Sequence, residues 1–435
     1  MRISFLGSCR EVGRSAVLVE SEQNDDRILL DYGIKMDGSE ENFPSHIRGR
    51  DLTAIVVTHA HIDHVGGVPI FFISGSVPLF MTRLTQDISD VLLRDMIEIA
   101  RNNSNTDLLF DTEVLGRMHR HTRTLRYGER IKVGKGSHIT LFSNGHIPGS
   151  AMVYVEMDDQ AMLYTSDMNS NQTQLMKPVE PLIQQIDALV IESTYGTTDH
   201  PPRTEVEQQF IEKVMEILES GGTVLVPAFG VSRSQEILMV LHKYIDSNKY
   251  PIYVDGMARK IGHIYKRYRT NFRSYGEMKT SLEKSIYISR ENTFEQRQEV
   301  KQSNGVIVAP SGMLKGGTAR MYAEAIIKDP NSAILLVSYQ IPGTPGDVLL
   351  NNQKYMFNNK DEQEKIACEV LKFDFSSHSG KTQLIDFTLR SNFRDSNKRV
   401  FAVHGEEEVA LSLVNDMNQL GLNATAPKQG ESFKI

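Results

Sequence analysis

The stretch VVTHAHIDHVGG, residues 56–67, joins a β-branched run to three histidines and an aspartate. The valines predict a buried strand, and His59, His61, Asp63 and His64 follow where that strand ends. Imidazole nitrogens bind zinc and similar divalent metals, and carboxylate oxygens complete such sites. The turn after the strand can point His59 and His61 one way, while Asp63 and His64 reach a second position. The stretch therefore predicts a metal site, with a histidine-rich surface turn as the alternative.

Other residues that bind metals in proteins follow apolar strands in the same manner. They are Asp31 after RILL, His146 after LFSNG, Asp167 after AMLYTS, Glu192 within VIEST, His378 within FSSHSG and His404 after VFAV. Any one of them alone is more often a satisfied polar residue at a strand end. The repeated pattern, an apolar strand and then a ligand-type residue near Gly, Ser or Thr, favours one shared site.

Length and composition describe a globular protein of about two domains, because 435 residues are too many for one compact core. Two cysteines exclude a disulfide framework and fit a reducing compartment. No apolar run approaches the roughly 18 residues of a membrane span, and the N-terminal MRISFLG is typical of a strand rather than a secretion signal. We expect a soluble, cytoplasmic protein with no membrane partner.

The net charge of −7 argues at first against a polyanionic partner. The charge is unevenly distributed, since residues 197–372 carry +2 and the remainder carries −9. Bound cations would offset part of the acidity outside the middle segment.

The pattern of elements changes twice along the chain. Short apolar strands dominate the first part, whereas strands and helices alternate after residue 197, which predicts βαβ units and a parallel sheet. The first of these helices lies in TEVEQQFIEKVMEILESGG, residues 204–222, with Thr204 and Glu207 as its predicted capping box. We predict a domain inserted into another, with boundaries of 1–196 for the first part, 197–372 for the insertion and 373–435 for the completion.

Taken in order, these motifs resemble those of the metallo-β-lactamase superfamily and, within it, the β-CASP nucleases. Four positions match the superfamily motifs, and three match motifs peculiar to the β-CASP group: Asp31, residues 59–64, His146 and Asp167, then Glu192, His378 and His404. The nearest likeness is to the cleavage-and-polyadenylation endonuclease subunit and its prokaryotic relatives. The resemblance covers essentially the whole chain. It implies an α/β fold, a metallo-β-lactamase αββα sandwich with an inserted α/β β-CASP domain built on a parallel sheet.

The resemblance also implies a role for each motif residue. One zinc ion would bind His59, His61 and His146, a second would bind Asp63, His64 and His404, and Asp167 would bridge them. Asp31 would orient a ligand histidine. His378 would protonate the departing oxygen or bind the phosphate, Glu192 would hold its ring, and Asp63 would share in catalysis. Manganese is the alternative metal.

One position departs from the resemblance. In the RNA-cleaving relatives an acid commonly stands two residues after the histidine of the His378 motif, whereas this chain has Gly380. The role of His378 survives this change, but its hydrogen-bond network stays open.

Substrate contacts are predicted from basic and glycine-rich stretches. ARKIGHIYKRYRTNFR, residues 258–273, has six basic residues and no acid, and as a helix it would place cations on phosphates and rings under bases. The alternative is a solvated helix face with aromatic core contacts. The loop PSGMLKGG, residues 310–317, either cradles a phosphate or is a simple turn. The predicted substrate-binding residues are Arg233, Lys266, Arg267, Arg269, Ser311 and Gly312.

The leading functional hypothesis is a two-zinc ribonuclease that hydrolyses single-stranded RNA as an endonuclease, with or without 5′→3′ exonuclease activity. The alternatives are another hydrolase of the same fold, acting on DNA or on esters and thioesters, and a catalytically silent scaffold subunit of an RNA-processing complex. The seven ligand positions all carry competent residue types, which argues against the scaffold. A homodimer formed through the last strand, GESFKI at 430–435, is a further hypothesis.

Overall fold

The computed structural model describes residues 1–35, 42–102, 108–289, 291–352, 354–356 and 363–435. The chain divides into two compact units. Unit 1 consists of Met1–Asn171, Pro178–Asp199 and Ser377–Ile435, and unit 2 of Gln172–Lys177 and His200–Ser376.

The strands of the described residues are numbered in chain order. They are β1 (Arg2–Gly7), β2 (Ala16–Glu20), β3 (Arg27–Leu30), β4 (Ala54–Val56), β5 (Leu79–Thr82), β6 (Thr122–Leu125), β7 (Arg130–Val133), β8 (Ser137–Ser143), β9 (Ala151–Met157), β10 (Gln160–Tyr164), β11 (Ala188–Glu192), β12 (Val224–Pro227), β13 (Ile252–Val254), β14 (Ile286–Tyr287), β15 (Val306–Ala309), β16 (Ala333–Leu336), β17 (Lys354–Met356), β18 (Gln363–Lys365), β19 (Glu369–Lys372), β20 (Arg399–Val403), β21 (Asn423–Thr425) and β22 (Ser432–Lys434).

The α-helices are numbered in the same way, and two short 3₁₀ turns, Gly49–Asp51 and Val68–Phe72, accompany them. The helices are α1 (Ile62–Val65), α2 (Arg83–Asn102), α3 (Thr112–His121), α4 (Arg203–Glu219), α5 (Arg233–Tyr244), α6 (Met257–Tyr265), α7 (Tyr275–Lys284), α8 (Thr293–Val300), α9 (Gly317–Ile326), α10 (Pro345–Asn352), α11 (Lys381–Arg390) and α12 (Glu407–Gln419). Among the described residues, none of these helices is both long enough and apolar enough to span a membrane.

Unit 1 has four layers, because its two sheets pack face to face with helices outside. The sheet orders are β22-β1-β2-β3-β4-β5-β6 and β21-β20-β11-β10-β9-β8-β7. Side chains alternate between the faces of a strand, so in β9 Val153 and Val155 join the core between the sheets, whereas Met152 and Tyr154 pack in the cluster that includes α11 and α12. The outer face of the first sheet packs against α2 and α3.

Unit 2 contains a six-stranded sheet in which every pairing is parallel, with the order β14-β13-β15-β12-β16-β19. Its central strands are fully buried, as expected when helices cover both faces. Strands β17 and β18 form a separate antiparallel pair. The predicted alternation of strands and helices, and the parallel sheet that it implies, are confirmed.

The predicted capping box of α4 is wrong. The helix begins at Arg203 after Pro202, so Thr204 already lies in the first turn, and no side chain caps this end. Glu207 is buried and instead accepts hydrogen bonds from Gln174 Nε2 at 2.8 Å. Pro202 fixes the start of the helix, and Glu207 binds Gln174, 33 residues away in sequence, instead of capping the helix.

Candidate metal centre

The ends of parallel strands collect the predicted ligands in unit 1. Asp31 follows β3 and the histidine-rich stretch follows its parallel neighbour β4, while Asp167, Glu192 and His404 stand at the ends of β10, β11 and β20, which are also parallel. Because carboxyl ends of parallel strands meet at one edge of a sheet, residues distant in sequence become neighbours. The strand-end pattern in the sequence therefore corresponds to one location in the fold.

A first set of ligand atoms surrounds one point. The His61 Nδ1 nitrogen lies 3.1 Å from His59 Nε2 and 3.3 Å from His146 Nε2. Asp167 Oδ2 lies 3.6 Å from Nε2 of both His59 and His146. A tetrahedral zinc with ligands at about 2.0–2.1 Å separates those ligands by about 3.3–3.4 Å, which this set matches. The four residues thus fit one divalent metal.

A second set of ligand atoms lies close to the other carboxylate oxygen of Asp167, Oδ1. His64 Nε2 is 3.3 Å and His404 Nδ1 is 3.4 Å from Asp167 Oδ1, and His404 Nε2 is 3.3 Å from Asp63 Oδ2. Asp63, His64 and His404 also have ligand atoms close enough to hold a metal ion. Asp167 Oδ1 is buried and accepts no hydrogen bond from any described group, which is what a carboxylate oxygen reserved for a metal requires.

Burial keeps the first set of imidazoles neutral. Burial, together with the charge of His64, holds the pKa of His59 well below its ordinary value. Burial and the neighbouring His378 do the same to the pKa of His146, and burial also lowers the pKa of His61. A neutral imidazole has the lone pair that a metal needs, so these three side chains are ready to bind.

The acids and histidines of the second set shift one another's pKa values. Burial opposes ionisation of Asp167, but His404 and His64 outweigh it and hold the pKa of this carboxyl well below its usual range. Desolvation also opposes ionisation of the partly exposed Asp63, and the contact with His404 outweighs it and lowers the pKa of this carboxyl. In return, Asp167 and Asp31 raise the pKa of His64 against burial, and Asp167 raises that of His404. The centre concentrates negative charge that these histidines offset.

Asp31 is fully buried at the centre of a hydrogen-bond network. Its Oδ2 accepts from His64 Nδ1 at 2.8 Å, from Thr58 Oγ1 at 2.8 Å and from Tyr164 at 3.2 Å. A carboxylate can only accept, so His64 Nδ1 donates to Asp31, and Nε2 is left as the nitrogen that would bind a metal. Sequence reasoning missed Tyr164 and Thr58, although Thr58 stands directly before His59.

Three residues at the centre have left-handed backbone. The φ angles of Asp31, Ser166 and His404 are 60°, 51° and 53°. Side chains other than glycine adopt this region at a cost, and such conformations concentrate at functional sites. The backbone is held there so that each side chain points into the centre.

His378 and Glu192 form a pair beside the ligands. Both Glu192 oxygens lie close to His378 Nδ1, at 3.0 and 2.9 Å, and Oε1 also accepts the Met168 backbone N–H at 2.6 Å. The His378 ring centre is 4.6 Å from that of His146, whose Nδ1 donates to the Ser377 carbonyl at 2.8 Å. The carbonyl of Ser377, which no sequence motif marks, thus directs His146 Nε2 toward the ligand set.

The glycine that departs from the resemblance occupies a crowded position. A Cβ atom at Gly380 would lie 2.8 Å from Asp199 Oδ1 and 3.0 Å from Asp199 Cα, so an acidic side chain does not fit without a shift. The His378 ring is oriented by Glu192. The open question of its hydrogen-bond partner is answered without an acid at 380.

The predicted substrate-binding residues all belong to unit 2. Arg233 is buried, and its Nη1 donates to the Val337 carbonyl at 2.7 Å. Ser311 Oγ donates to the Gly316 carbonyl at 3.2 Å, and Gly312 is packed closely against Ser338. Their assignment to substrate stays a prediction.

The basic stretch at 258–273 is only partly helical. Helix α6 ends at Tyr265, so Lys266, Arg267 and Arg269 lie beyond it. Tyr265 and Phe272 are buried, and their rings pack together with centroids 5.2 Å apart. The idea that these two rings lie under bases is therefore wrong, because they form aromatic core contacts.

Family models match most of the chain. The Beta-Casp domain matches residues 234–349, and the Zn-dependent metallo-hydrolase RNA specificity domain matches residues 363–427. The model of the Anti-Pycsar protein Apyc1 matches residues 1–187.

Related sequences match over the full chain. RNase aCSPSF2 of Saccharolobus solfataricus is 36% identical over 100% of this chain and 85% of its own length. Probable RNase MJ4 of Methanocaldococcus jannaschii is 35% identical over 100% of both chains. Transcription termination factor FttA of Pyrococcus abyssi is 32% identical over 100% of this chain and 71% of its own.

A solved structure agrees with the fold. The crystal structure of a protein of unknown function from Enterococcus faecalis V583 matches with a TM-score of 0.59 over 99% of each chain, at 11% identity, which shows the fold alone. The predicted fold, a metallo-β-lactamase sandwich with an inserted β-CASP domain, is confirmed. The chain belongs to the β-CASP ribonucleases of the metallo-β-lactamase superfamily.

Proposed function

We propose that this protein uses two zinc ions to hydrolyse phosphodiester bonds of single-stranded RNA. One observation carries the proposal: a single buried carboxylate, Asp167, presents one oxygen to each of two ligand sets. Two metals about 3.5–4 Å apart suit phosphodiester cleavage, and a shared carboxylate holds two ions at such a spacing. The names of the related RNases support RNA as the substrate.

The ligands follow from the two sets. His59, His61 and His146 would hold one ion, Asp63, His64 and His404 the other, and Asp167 both. Imidazole nitrogens together with carboxylates suit zinc. Manganese is the alternative, because it also binds carboxylate oxygens.

Catalysis would divide between the ions and the chain. When bound, the ions would neutralise charge on the scissile phosphate and lower the pKa of a water molecule. His378 would donate a proton from Nε2 to the departing 3′ oxygen, or a hydrogen bond to the phosphate, because its Nδ1 is committed to Glu192. Glu192 would stabilise the charged imidazolium, and Asp63 would share in catalysis by positioning its ion. The expected products carry a 5′-phosphate and a 3′-hydroxyl.

Unit 1 would be the metallo-β-lactamase domain and unit 2 the β-CASP domain, with boundaries close to residues 200 and 376. Within unit 2, Ser311 and Gly312 would contact substrate, as would Lys266, Arg267 and Arg269. Arg233 would act through the loop backbone that it holds. A homodimer through the last strand and a cytoplasmic location stay predictions.

The test uses a single-stranded RNA labelled at its 5′ end in one preparation and internally in another, with DNA of the same sequence beside it. Internal fragments that disappear with a chelator are the expected result, and 5′ mononucleotides would indicate added exonuclease activity. Intact RNA with zinc-loaded protein would overturn the proposal, as would cleavage that a chelator does not stop. Cleavage of the DNA alone would overturn the choice of RNA.

A further inference from the structure

Three loops of unit 2 meet at one edge of its parallel sheet. Strand β12 lies between β15 and β16, so the loops that follow them, residues 228–232, 310–316 and 337–344, are neighbours. The chain leaves β12 toward β13 on one side and leaves β16 toward β19 on the other. Ligands of parallel sheets bind where connections diverge in this way, at the carboxyl ends of the strands.

Two of these loops expose large aromatic side chains. Phe229 is 38% exposed and Tyr339 is 53% exposed, and Ile341 beside them is 40% exposed. Single exposed apolar side chains are normal on a protein surface. Two exposed rings on adjacent loops, at the edge where parallel sheets bind ligands, indicate an interaction site.

The backbone that carries the rings is fixed. Buried Gln340 donates from Nε2 to the carbonyls of Gly312 and Ser338, at 3.0 and 2.9 Å, and so ties the loop that carries Tyr339 to the loop at 310–316. The Phe229 carbonyl accepts from Ser234 Oγ at 2.7 Å. Rings on a rigid backbone lose little conformational entropy when a flat partner stacks on them.

The charge of this edge suits a polyanion. The segments 228–232, 310–317 and 337–344 contain no acidic residue and include exposed Lys315. Exposed Lys372, the last residue of β19, holds its ammonium 5.8 Å from the centre of the Tyr339 ring. A ring with a cation beside it is the arrangement that binds a base together with its phosphate.

We propose that Phe229 and Tyr339 form a stacking platform for the bases of single-stranded RNA, with Lys372 contacting the adjoining phosphate. The inference rests on the proposed function for its ligand, and it adds the residues that bind bases. Every base has an aromatic face, so the platform binds RNA with little sequence preference.

The test compares Tyr339→Leu with the same change at a matched tyrosine outside the proposed platform. Tyr244 ends α5, is 48% exposed and has the Lys243 ammonium 4.7 Å from its ring, but it precedes the amino end of β13. Affinity is measured by fluorescence anisotropy with chelator-treated protein, so that the RNA stays intact. A second RNA has abasic sites throughout and keeps its phosphates.

Tyr339→Leu should weaken binding of the normal RNA about tenfold, whereas Tyr339→Phe and Tyr244→Leu stay within about twofold of the parent. Abasic RNA should bind the parent and Tyr339→Leu equally. Equal affinity of parent and Tyr339→Leu for normal RNA would overturn the platform, and so would an equal loss with abasic RNA. Thermal unfolding checks the fold of each variant. Hydrolysis by the parent is measured separately, so a failed platform leaves the proposed function standing.

Discussion

Glu192 places both carboxylate oxygens against one nitrogen of His378, at 3.0 and 2.9 Å from Nδ1. The acid is fully buried, whereas the histidine side chain is 19% exposed, so the pair extends from the core toward solvent. A buried acid behind an accessible imidazole fixes the direction of the ring. This geometry suits proton donation more than a structural role.

Loss of the imidazole should slow the reaction without emptying the metal site. We expect His378→Ala to bind two zinc ions and to cleave RNA about a hundredfold more slowly than the parent. Single-turnover cleavage and metal analysis on the same preparation test this. His119→Ala, on α3, serves as the matched control and should cleave normally. Loss of a zinc ion from His378→Ala would show instead that His378 is a ligand.

Glu192 should act only through His378. Glu192→Gln keeps the shape of the side chain and can still accept from the Met168 N–H, but it loses the negative charge beside Nδ1. We expect a loss of about tenfold in single-turnover rate, and no further loss when the change is added to His378→Ala, because residues of one network are not additive. Additive losses in this double-mutant cycle would refute the linked role.

Asp31 should control one of the two metal positions. Its contact at 2.8 Å orients His64, so Asp31→Asn should weaken binding of one zinc ion about 10- to 100-fold and leave the other unchanged. Competition with a chromophoric chelator resolves the two affinities. Unchanged binding of both ions would contradict the assignment of His64.

The stability of unit 1 should depend on pH through Asp26, remote from the metal centre. Burial raises the pKa of this carboxyl, but hydrogen bonds from the backbone of Gly136 and Lys135 and from Ser137 outweigh burial and lower it overall. A lowered pKa in the folded state means that the unfolded chain binds more protons. The stabilisation is therefore complete above the ordinary pKa of about 4 and is lost as the pH falls through the folded-state value.

Asp26→Asn should reduce the free energy of unfolding by about 2 kcal/mol near neutral pH, since buried donors lose a charged acceptor. Urea unfolding of the parent and the variant should show this gap narrowing below about pH 4. Asp25→Asn, whose side chain is exposed, is the neighbouring control and should show little effect. A gap that is constant across pH would contradict the ionised state of Asp26.

Much of the metal centre could be predicted because the ends of strands can be recognised in the sequence. An apolar run followed by His59 or Asp167 marks both the element and its ligand. The contacts that orient these side chains come from residues distant in sequence: His146 Nδ1 donates to the carbonyl of Ser377, 231 residues away. No local pattern marks a serine for such a role.

Predictions from local sequence patterns failed where tertiary contacts or an earlier helix end determined the structure. The predicted capping box of Thr204 and Glu207 does not form, because Glu207 accepts a hydrogen bond from Gln174, which also belongs to unit 2. The helix expected through residues 258–273 ends at Tyr265, and Phe272, beyond that end, packs against the Tyr265 ring in the core. Both errors came from patterns that are correct for an isolated helix.

The metal content per chain shows whether two metal ions share Asp167. The protein would be stripped, reloaded with zinc, freed of excess ion and measured by mass spectrometry against its concentration, with Asp167→Asn and His119→Ala in parallel. We expect two zinc ions per chain for the parent and for His119→Ala, and less than one for Asp167→Asn. A parent that holds one ion, or an Asp167→Asn variant that keeps two, would contradict the sharing of Asp167.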